Sequence, residues 1–145
     1  MADREIFSFK INGNYFGVDT TLVDSVSSEF VRTDVPCSSK LVKEMISYRD
    51  EVLPVVNLGE YLYGHSTYDK DTDPMLMICN IKDQKVAFEI DESSDMIKLS
   101  AGDEHAVGSL LTNMATMIDS YVLRKDNKIM GIINLEKVYA DMVKA

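Results

Sequence analysis

Cysteine and histidine are nearly missing from this chain of 145 residues, which holds two of each. Cys37 and Cys79 fit no Cys-x-x-Cys spacing and lie far apart in sequence, so neither a metal knuckle nor a redox pair is expected. Two free thiols agree with a reducing compartment, and a lone cysteine commonly serves as a small buried hydrophobe. His65 lies in an acidic stretch and His105 in a polar one, neither with a second His or Cys at ligand spacing, which argues against zinc. Long apolar runs are missing too. The longest, such as Met75-Leu76-Met77-Ile78-Cys79 and Ile129-Met130-Gly131-Ile132-Ile133, fall far short of the roughly 20 residues that cross a bilayer. Met1 to Glu5 run straight into Phe7 and Phe9 without the apolar core of a secretory signal, which predicts a cytoplasmic protein with no direct membrane insertion.

The usual signatures of catalysis are also absent. No G-x-S-x-G elbow, Walker A loop, G-x-G-x-x-G turn or H-E-x-x-H helix occurs, so an enzyme is unsupported, and no catalytic, metal-binding or cofactor-binding residue is assigned. Asp91-Glu92 would need a tuned pKa in a cleft to act as acid and base, and otherwise reads as charge at a strand end. Asp69, Asp71 and Asp73 resemble a calcium loop only at a glance. Counted from Asp69, an EF-hand wants Gly at its sixth position and Glu at its twelfth, where this chain has Pro74 and Asn80. Excess positive charge is lacking as well. A net charge of −9 with scattered Lys and Arg excludes the basic face that nucleic acid requires. The acidity fits either plain solubility or complementarity to a basic partner.

What the chain does have is globular composition, 46% hydrophobic and 27% charged residues, at a length that buries roughly two-thirds of the unfolded surface in one domain. Short strands dominate. Ile6 to Ile11 alternates, Asn12-Gly13-Asn14 signals a tight hairpin, and Tyr15 to Thr20 should return. Val23 to Val26 and Phe30 to Val35 follow as strands. Ser38 or Ser39 can cap a short helix that puts Leu41, Val42, Met45 and Ile46 on one face. Leu58 to Tyr63 reads as a helical turn ended by Gly64, and His65 to Pro74 as an exposed loop. Met75 to Ile81, Lys85 to Ile90, Met96 to Leu99, Met117 to Leu123 and Lys128 to Ile133 are further strands, with Asn127 suited to a left-handed turn. Leu135 to Val143 closes as an amphipathic helix. This pattern implies a mainly β barrel or sandwich.

One segment stands out: Tyr48-Arg49-Asp50-Glu51-Val52-Leu53-Pro54-Val55-Val56-Asn57-Leu58. An Arg turn opens into an apolar strand whose Pro54 lacks the N–H of an interior ladder position, so a bent or edge position is expected. With the Phe7-Ser8-Phe9 and Tyr15-Phe16-Gly17-Val18-Asp19 strands, the Val35-Pro36 step, Val86-Ala87-Phe88-Glu89-Ile90-Asp91 and Ile132-Ile133-Asn134-Leu135-Glu136-Lys137, it resembles the CheW family of chemotaxis coupling proteins. The matches are collinear over about 130 residues.

That resemblance implies two intertwined five-stranded SH3-like β-barrels with short helices and a C-terminal helix. They form one CheW-like domain, residues 1–145, divided near residues 65–74 and open to strands crossing between the halves. It implies a non-enzymatic adaptor, without cofactor, that couples the cytoplasmic tips of chemoreceptors to the regulatory domain of a CheA-type histidine kinase and is recruited to membrane receptor arrays by those partners. In the family an apolar groove between the barrels takes the receptor helical hairpin and a barrel face carries the kinase contact. Val18, Val23, Val26, Ile97 and Leu99 are then groove-side candidates, against the alternative of plain core packing, and Arg49 is expected to support its turn and shape a partner-binding surface. A reading from another class is a β-barrel small-ligand sensor or hydrolase with residues 65–74 as a lid; that would show a deep polar pocket, an adaptor an apolar groove.

The departures are specific. The family's Asn-Leu-Arg-Gly is here Ser47-Tyr48-Arg49-Asp50, its customary upstream glycine is Glu44, and Ser25, beside Asp24, stands where a Glu often pairs with the Arg. Asp in a turn needing positive φ costs about 1 kcal/mol or more relative to Gly. A reshaped turn is expected, with a new partner for Arg49 or a side chain directed to solvent.

Overall fold

Two residues of positive φ, Asn12 at 54° and Gly13 at 77°, turn the chain between β1 (Arg4–Ile11) and β2 (Asn14–Asp19). In this computed structural model residues 4–34, 42–63, 74–100, 102–106 and 118–144 are described. After β2, Asp19 caps a 3-10 turn at Thr20–Leu22 by accepting from the Thr21 N–H at 3.0 Å. There follow β3 (Val23–Ser27), β4 (Arg32–Asp34), β5 (Val42–Tyr48), β6 (Glu51–Asn57) and helix α1 (Leu58–Tyr63). The second half runs β7 (Met75–Ile81), β8 (Gln84–Ile90), β9 (Glu92–Leu99), β10 (Glu104–Ala106), β11 (Ile118–Leu123), β12 (Ile129–Ile133) and helix α2 (Leu135–Lys144).

The strands form two six-stranded sheets, β10-β11-β12-β2-β1-β9 and β3-β7-β8-β6-β5-β4. The mainly β, two-sheet fold is the expected one, and the three-residue edge strands β10 and β4 extend each sheet beyond five. Read from opposite ends, the two orders coincide. Each has one parallel pair, β12 beside β2 and β6 beside β8, and in each pair one strand feeds a helix, β12 leading into α2 and β6 into α1. The chain therefore repeats one order of elements on either side of residues 64–73, and each half lends its first hairpin to the other half's sheet. The sheets themselves change over at Thr20–Leu22 and at Asp91, not at 65–74, since α1 and β7 flank that stretch within one sheet's share of the chain. Even the wording repeats: Val55-Val56-Asn57-Leu58 and Ile132-Ile133-Asn134-Leu135 occupy the same place. Asn57 accepts from the Glu60 N–H at 2.9 Å and Asn134 from the Glu136 N–H at 3.0 Å, satisfying the first turn of each helix.

The expected helix around Met45 is a strand instead. Residues 35–41, with Ser38, Ser39 and Leu41, lie outside the described residues, but Val42 to Tyr48 pairs antiparallel with β6, Ile46 opposite Leu53 and Tyr48 opposite Glu51. Helical spacing misled because the register slips between Val42 and Glu44. A bulge adds a residue, so apolar side chains that should recur every second position recur every third. Pro54 sits opposite Met45, one residue before the parallel ladder to β8 begins at Val55, so no second neighbour asks for its missing N–H there.

Three apolar clusters result. One lies inside the first sheet (Ile6, Leu99, Val122, Met130, Ile132) and one inside the second (Ile46, Leu53, Val55, Leu76, Ile78). The third is shared, joining Phe9, Ile11 and Val18 of the first sheet to Val56, Met77, Phe88 and Ile90 of the second. Strands β1, β7 and β8 thus bury both faces, which is why Met75 to Cys79 is apolar without alternation. Cys79 is fully buried and free, its thiol pKa pushed up by burial and by the nearby Asp24 charge, as befits an inert packing residue.

Candidate protein-docking surfaces

The Arg49 turn keeps the positive-φ conformation that favours glycine rather than avoiding it. Arg49 and Asp50 both take positive φ, 48° and 65°, the backbone of a two-residue hairpin turn that favours Asn-Gly, met here without a glycine. Arg49 also has a new partner. Its Nη1 lies 3.6 Å from Asp24 Oδ2, and its guanidinium stands 5.0 Å from the centre of the Tyr48 ring. Tyr48 Oη donates to the same Asp24 oxygen at 2.5 Å, which leaves Ser25 Oγ, 3.0 Å away, as donor to Tyr48 Oη. The acid has moved one position along β3, and a tyrosine carries the bridge. Arg49 itself remains largely exposed, held at the end of the second sheet.

Glu44, the other departure, also has a role. Arg32 Nη1 on β4 donates to Glu89 Oε2 at 2.8 Å and to Glu44 Oε1 at 3.3 Å. Glu89 is buried, so this edge strand is pinned to the sheet interior by a charge that needs its counterion. Desolvation works against the charged guanidinium, but Glu89 and then Glu44 outweigh it and hold its pKa above the ordinary value.

The remaining predicted residues do not converge on one site. Val18 is fully buried in the shared core, because period-2 alternation on a strand between two layers points it inward, so it has no surface to offer a partner. Val23 and Val26 are half-buried on β3, the edge of the second sheet, and pack against the shared core. Ile97 is half-buried and Leu99 nearly buried on β9, the matching edge of the first sheet. Those two line a groove of about 570 Å³ between β9 and the turn from β11 to β12, with Met96, Val122, Leu123 and Arg124.

A second groove, of about 250 Å³, lies between α1 and the first sheet, lined by Tyr15, Phe16, Leu62, Tyr63, Tyr121 and Ile129 among others. It is the apolar cleft between an element following one sheet and the face of the other. Its walls are fixed: Asn14 Nδ2 donates to Tyr63 Oη at 2.8 Å, and the Phe16 and Tyr63 rings meet edge to face at 6.5 Å. Beside it the Tyr15 ring carries Arg124 at 3.9 Å, Lys10 at 4.9 Å and Lys128 at 5.6 Å. Arg124 also donates to the buried Ser8 Oγ at 3.1 Å. Sequence reading missed these residues, since Ser8 and Arg124 are 116 positions apart and no local pattern joins them.

Among the described residues no group of three or more His, Cys, Asp or Glu stands where it could hold a metal ion, and no helix is long and apolar enough to cross a membrane. Of residues 65–74, the lid of the ligand-binding reading, 65–73 lie outside the described residues.

Comparison with known proteins bears on both fold and family. A family profile described as "CheW-like domain" matches residues 5–142. The chain is similar to "Chemotaxis protein CheW" of Thermotoga maritima, 22% identical over 98% of this chain and 91% of the relative. It is similar to the Bacillus subtilis protein of the same name, 22% identical over 93% and 86%. Its fold is that of the scaffolding protein TtCheW from Thermoanaerobacter tengcongensis, with a TM-score of 0.79 at 20% identity, covering 91% of this chain and 89% of that one.

Proposed function

The chain belongs to the CheW-like domain family, and on that footing we propose that it is a non-enzymatic chemotaxis adaptor coupling the cytoplasmic tips of chemoreceptors to the regulatory domain of a CheA-type histidine kinase. It acts in the cytoplasm and is recruited to membrane receptor arrays through those partners. The observation that carries the reading is the apolar cleft between α1 and the first sheet, in a chain matched to the family from residue 5 to residue 142. An amphipathic helix presents apolar anchors at spacings of three and four, and such anchors suit a cleft walled by Phe16, Leu62, Tyr63 and Tyr121. The Arg49 end of the second sheet, held by Asp24 and Tyr48, is the face assigned to the kinase.

The test is titration against a receptor-tip fragment and a kinase regulatory domain from the same genome. Tyr63→Ala is expected to weaken receptor binding at least about tenfold, the loss of one aromatic anchor, while leaving the kinase contact intact; Arg49→Ala is expected to do the reverse. Absence of binding to either partner by the unaltered protein overturns the adaptor reading. An Arg49→Ala protein with unchanged melting and unchanged binding overturns the role given to that turn.

A further inference from the structure

The repeat that relates the two halves breaks in the second turn of α1. Aligning Asn57 with Asn134, the residues that accept from the first turns of α1 and α2, places Leu58 on Leu135 and Tyr61 on Val138. The two leucines are alike in surroundings as well as in order, both buried in the shared core. The second pair is not. Val138 is fully buried and holds its helix by core packing, whereas Tyr61 is half-buried and its hydroxyl donates to Asp141, an exposed residue of α2. Burial and then that carboxylate raise the phenol above its ordinary 10.0, so the hydroxyl keeps its proton and donates at neutral pH.

The second turn of α1 is also a wall of the apolar cleft. Leu62 and Tyr63 line it, and both are only half-buried. A helix of six residues does not sustain itself in water, so the place of its last turn depends on what it is tied to. Tyrosine hydroxyls tie it across to the first sheet and to the helix that follows that sheet: Tyr63 Oη accepts from Asn14 Nδ2 on β2 at 2.8 Å, and Tyr61 Oη donates to Asp141 on α2. The first tie lies within the cleft, since Asn14 and Tyr63 both line it, and a docked partner can compete for it. The second lies outside, since neither Tyr61 nor Asp141 is among the lining residues.

We propose that the Tyr61–Asp141 bond positions the α1 wall of the cleft, so that α2 governs how well the cleft takes a receptor helix without touching that helix. This rests on the reading of the cleft as the receptor site. Tyr61 is a positioning residue. With the bond made, Leu62 and Tyr63 stand where the apolar anchors of the partner meet them; without it, the turn holds that place for only part of the time, and apparent affinity falls in proportion. α2 and the cleft are thereby linked, and a partner that takes up Asp141 weakens receptor docking by the same factor.

Amide hydrogen exchange of the purified chain reads the tie with no partner present. Tyr61→Phe and Asp141→Ala each remove the bond and should speed exchange at Leu62 and Tyr63 about threefold to tenfold, the usual net worth of one hydrogen bond, while β6 stays unchanged. Asp141→Asn keeps an acceptor for the hydroxyl and should exchange as the unaltered protein does. Titration against the receptor-tip fragment reads the consequence. Tyr61→Phe and Asp141→Ala should each lose about threefold to tenfold in affinity, through slower association at an unchanged dissociation rate, because only the population of the ready cleft has fallen. The double variant should be no worse than either single one, Asp141→Asn should bind normally, and binding of the kinase regulatory domain should not move. Unchanged exchange overturns the proposal, as does unchanged affinity in Tyr61→Phe or an additive loss in the double variant. If Tyr63→Ala weakens fragment binding and Tyr61→Phe does not, the cleft keeps its assigned partner and the positioning role alone falls. If the unaltered protein binds no fragment, the adaptor reading falls and the control of receptor docking falls with it.

Discussion

Replacing Asp50 by glycine is expected to stabilise the protein. Asp50 holds φ at 65° and Arg49 at 48°, a region in which an L side chain crowds its own carbonyl. The crowding costs roughly 1 to 2 kcal/mol for an ordinary residue and about 1 for Asp, which tolerates this region better than most. Glycine escapes that cost but loses more backbone freedom on folding, which takes back about 0.5 kcal/mol. Asp50→Gly should thus gain about 0.5 kcal/mol or somewhat more, a rise in Tm of about 1 to 3 °C for a domain of this size. An internal control exists. The turn between β7 and β8 carries Lys82 at 50° and Asp83 at 66°, the same geometry with no part in the Arg49 cluster, so Asp83→Gly should give the same gain. The two turns lie in separate hairpins without a shared hydrogen bond, and the double variant should show additive gains. Calorimetry and urea titration measure all three. If Asp83→Gly gains and Asp50→Gly does not, the Asp50 carboxylate contributes a contact that offsets its strain. If neither gains, the account of these turns as strained is wrong.

Two further outcomes follow from the charge networks. Arg32→Met strands the buried Glu89 carboxylate and should cost about 2 to 4 kcal/mol in urea unfolding, with much of that restored in Arg32→Met/Glu89→Gln; equal losses in single and double variants would refute the pairing. Tyr61 on α1 donates to Asp141 on α2, and burial, then that carboxylate, raise its phenol above the ordinary 10.0. A raised pKa means the folded state holds its proton more tightly than the unfolded chain, so this stabilisation is complete below pH 10 and is lost as pH rises toward the folded value. Alkaline unfolding should therefore be less steep in Tyr61→Phe than in the unaltered protein, and identical alkaline limbs would show that the bond between the helices contributes nothing.

Much of the fold was legible because its signals are local. Asn12-Gly13 announced a hairpin through φ alone, and Asn127 took the left-handed conformation expected of it, at 64°. What local pattern could not show was long-range pairing. The bulge between Val42 and Glu44 disguised β5 as a helix, and β10 is only three residues long, too short for any periodicity to register. The proposed docking surfaces were less legible still. Val18 alternates correctly for a half-buried strand, yet sequence cannot say whether the second face meets water or another sheet, and here both faces of its hairpin meet protein. The Arg49 departures were the better guide. Ser25 and Asp50 depart from the family pattern, and the structure accounts for them with Asp24 as the acid that meets Tyr48 and Arg49 and with a turn held at positive φ.

The lent hairpins bear directly on what an adaptor must do. Because β1 and β2 belong to the first sheet while β3 to β6 complete the second, neither sheet can lose its strands without disturbing the other. The shared core makes the same point in packing: Phe9 and Ile11 come from one sheet, Phe88 and Ile90 from the other, and all are fully buried. An ordinary pair of domains joined by a linker meets through a modest interface and moves by default. Here the covalent crossovers at Thr20–Leu22 and Asp91 pass through the joint itself, so the Arg49 end and the α1 cleft are held at a fixed separation and orientation. Two partners docked on those surfaces would then feel each other's position through a rigid body. Unfolding should accordingly be a single cooperative transition, and a calorimetric enthalpy exceeding the van't Hoff enthalpy would show that the two sheets melt apart and that the frame between the docking surfaces is not rigid.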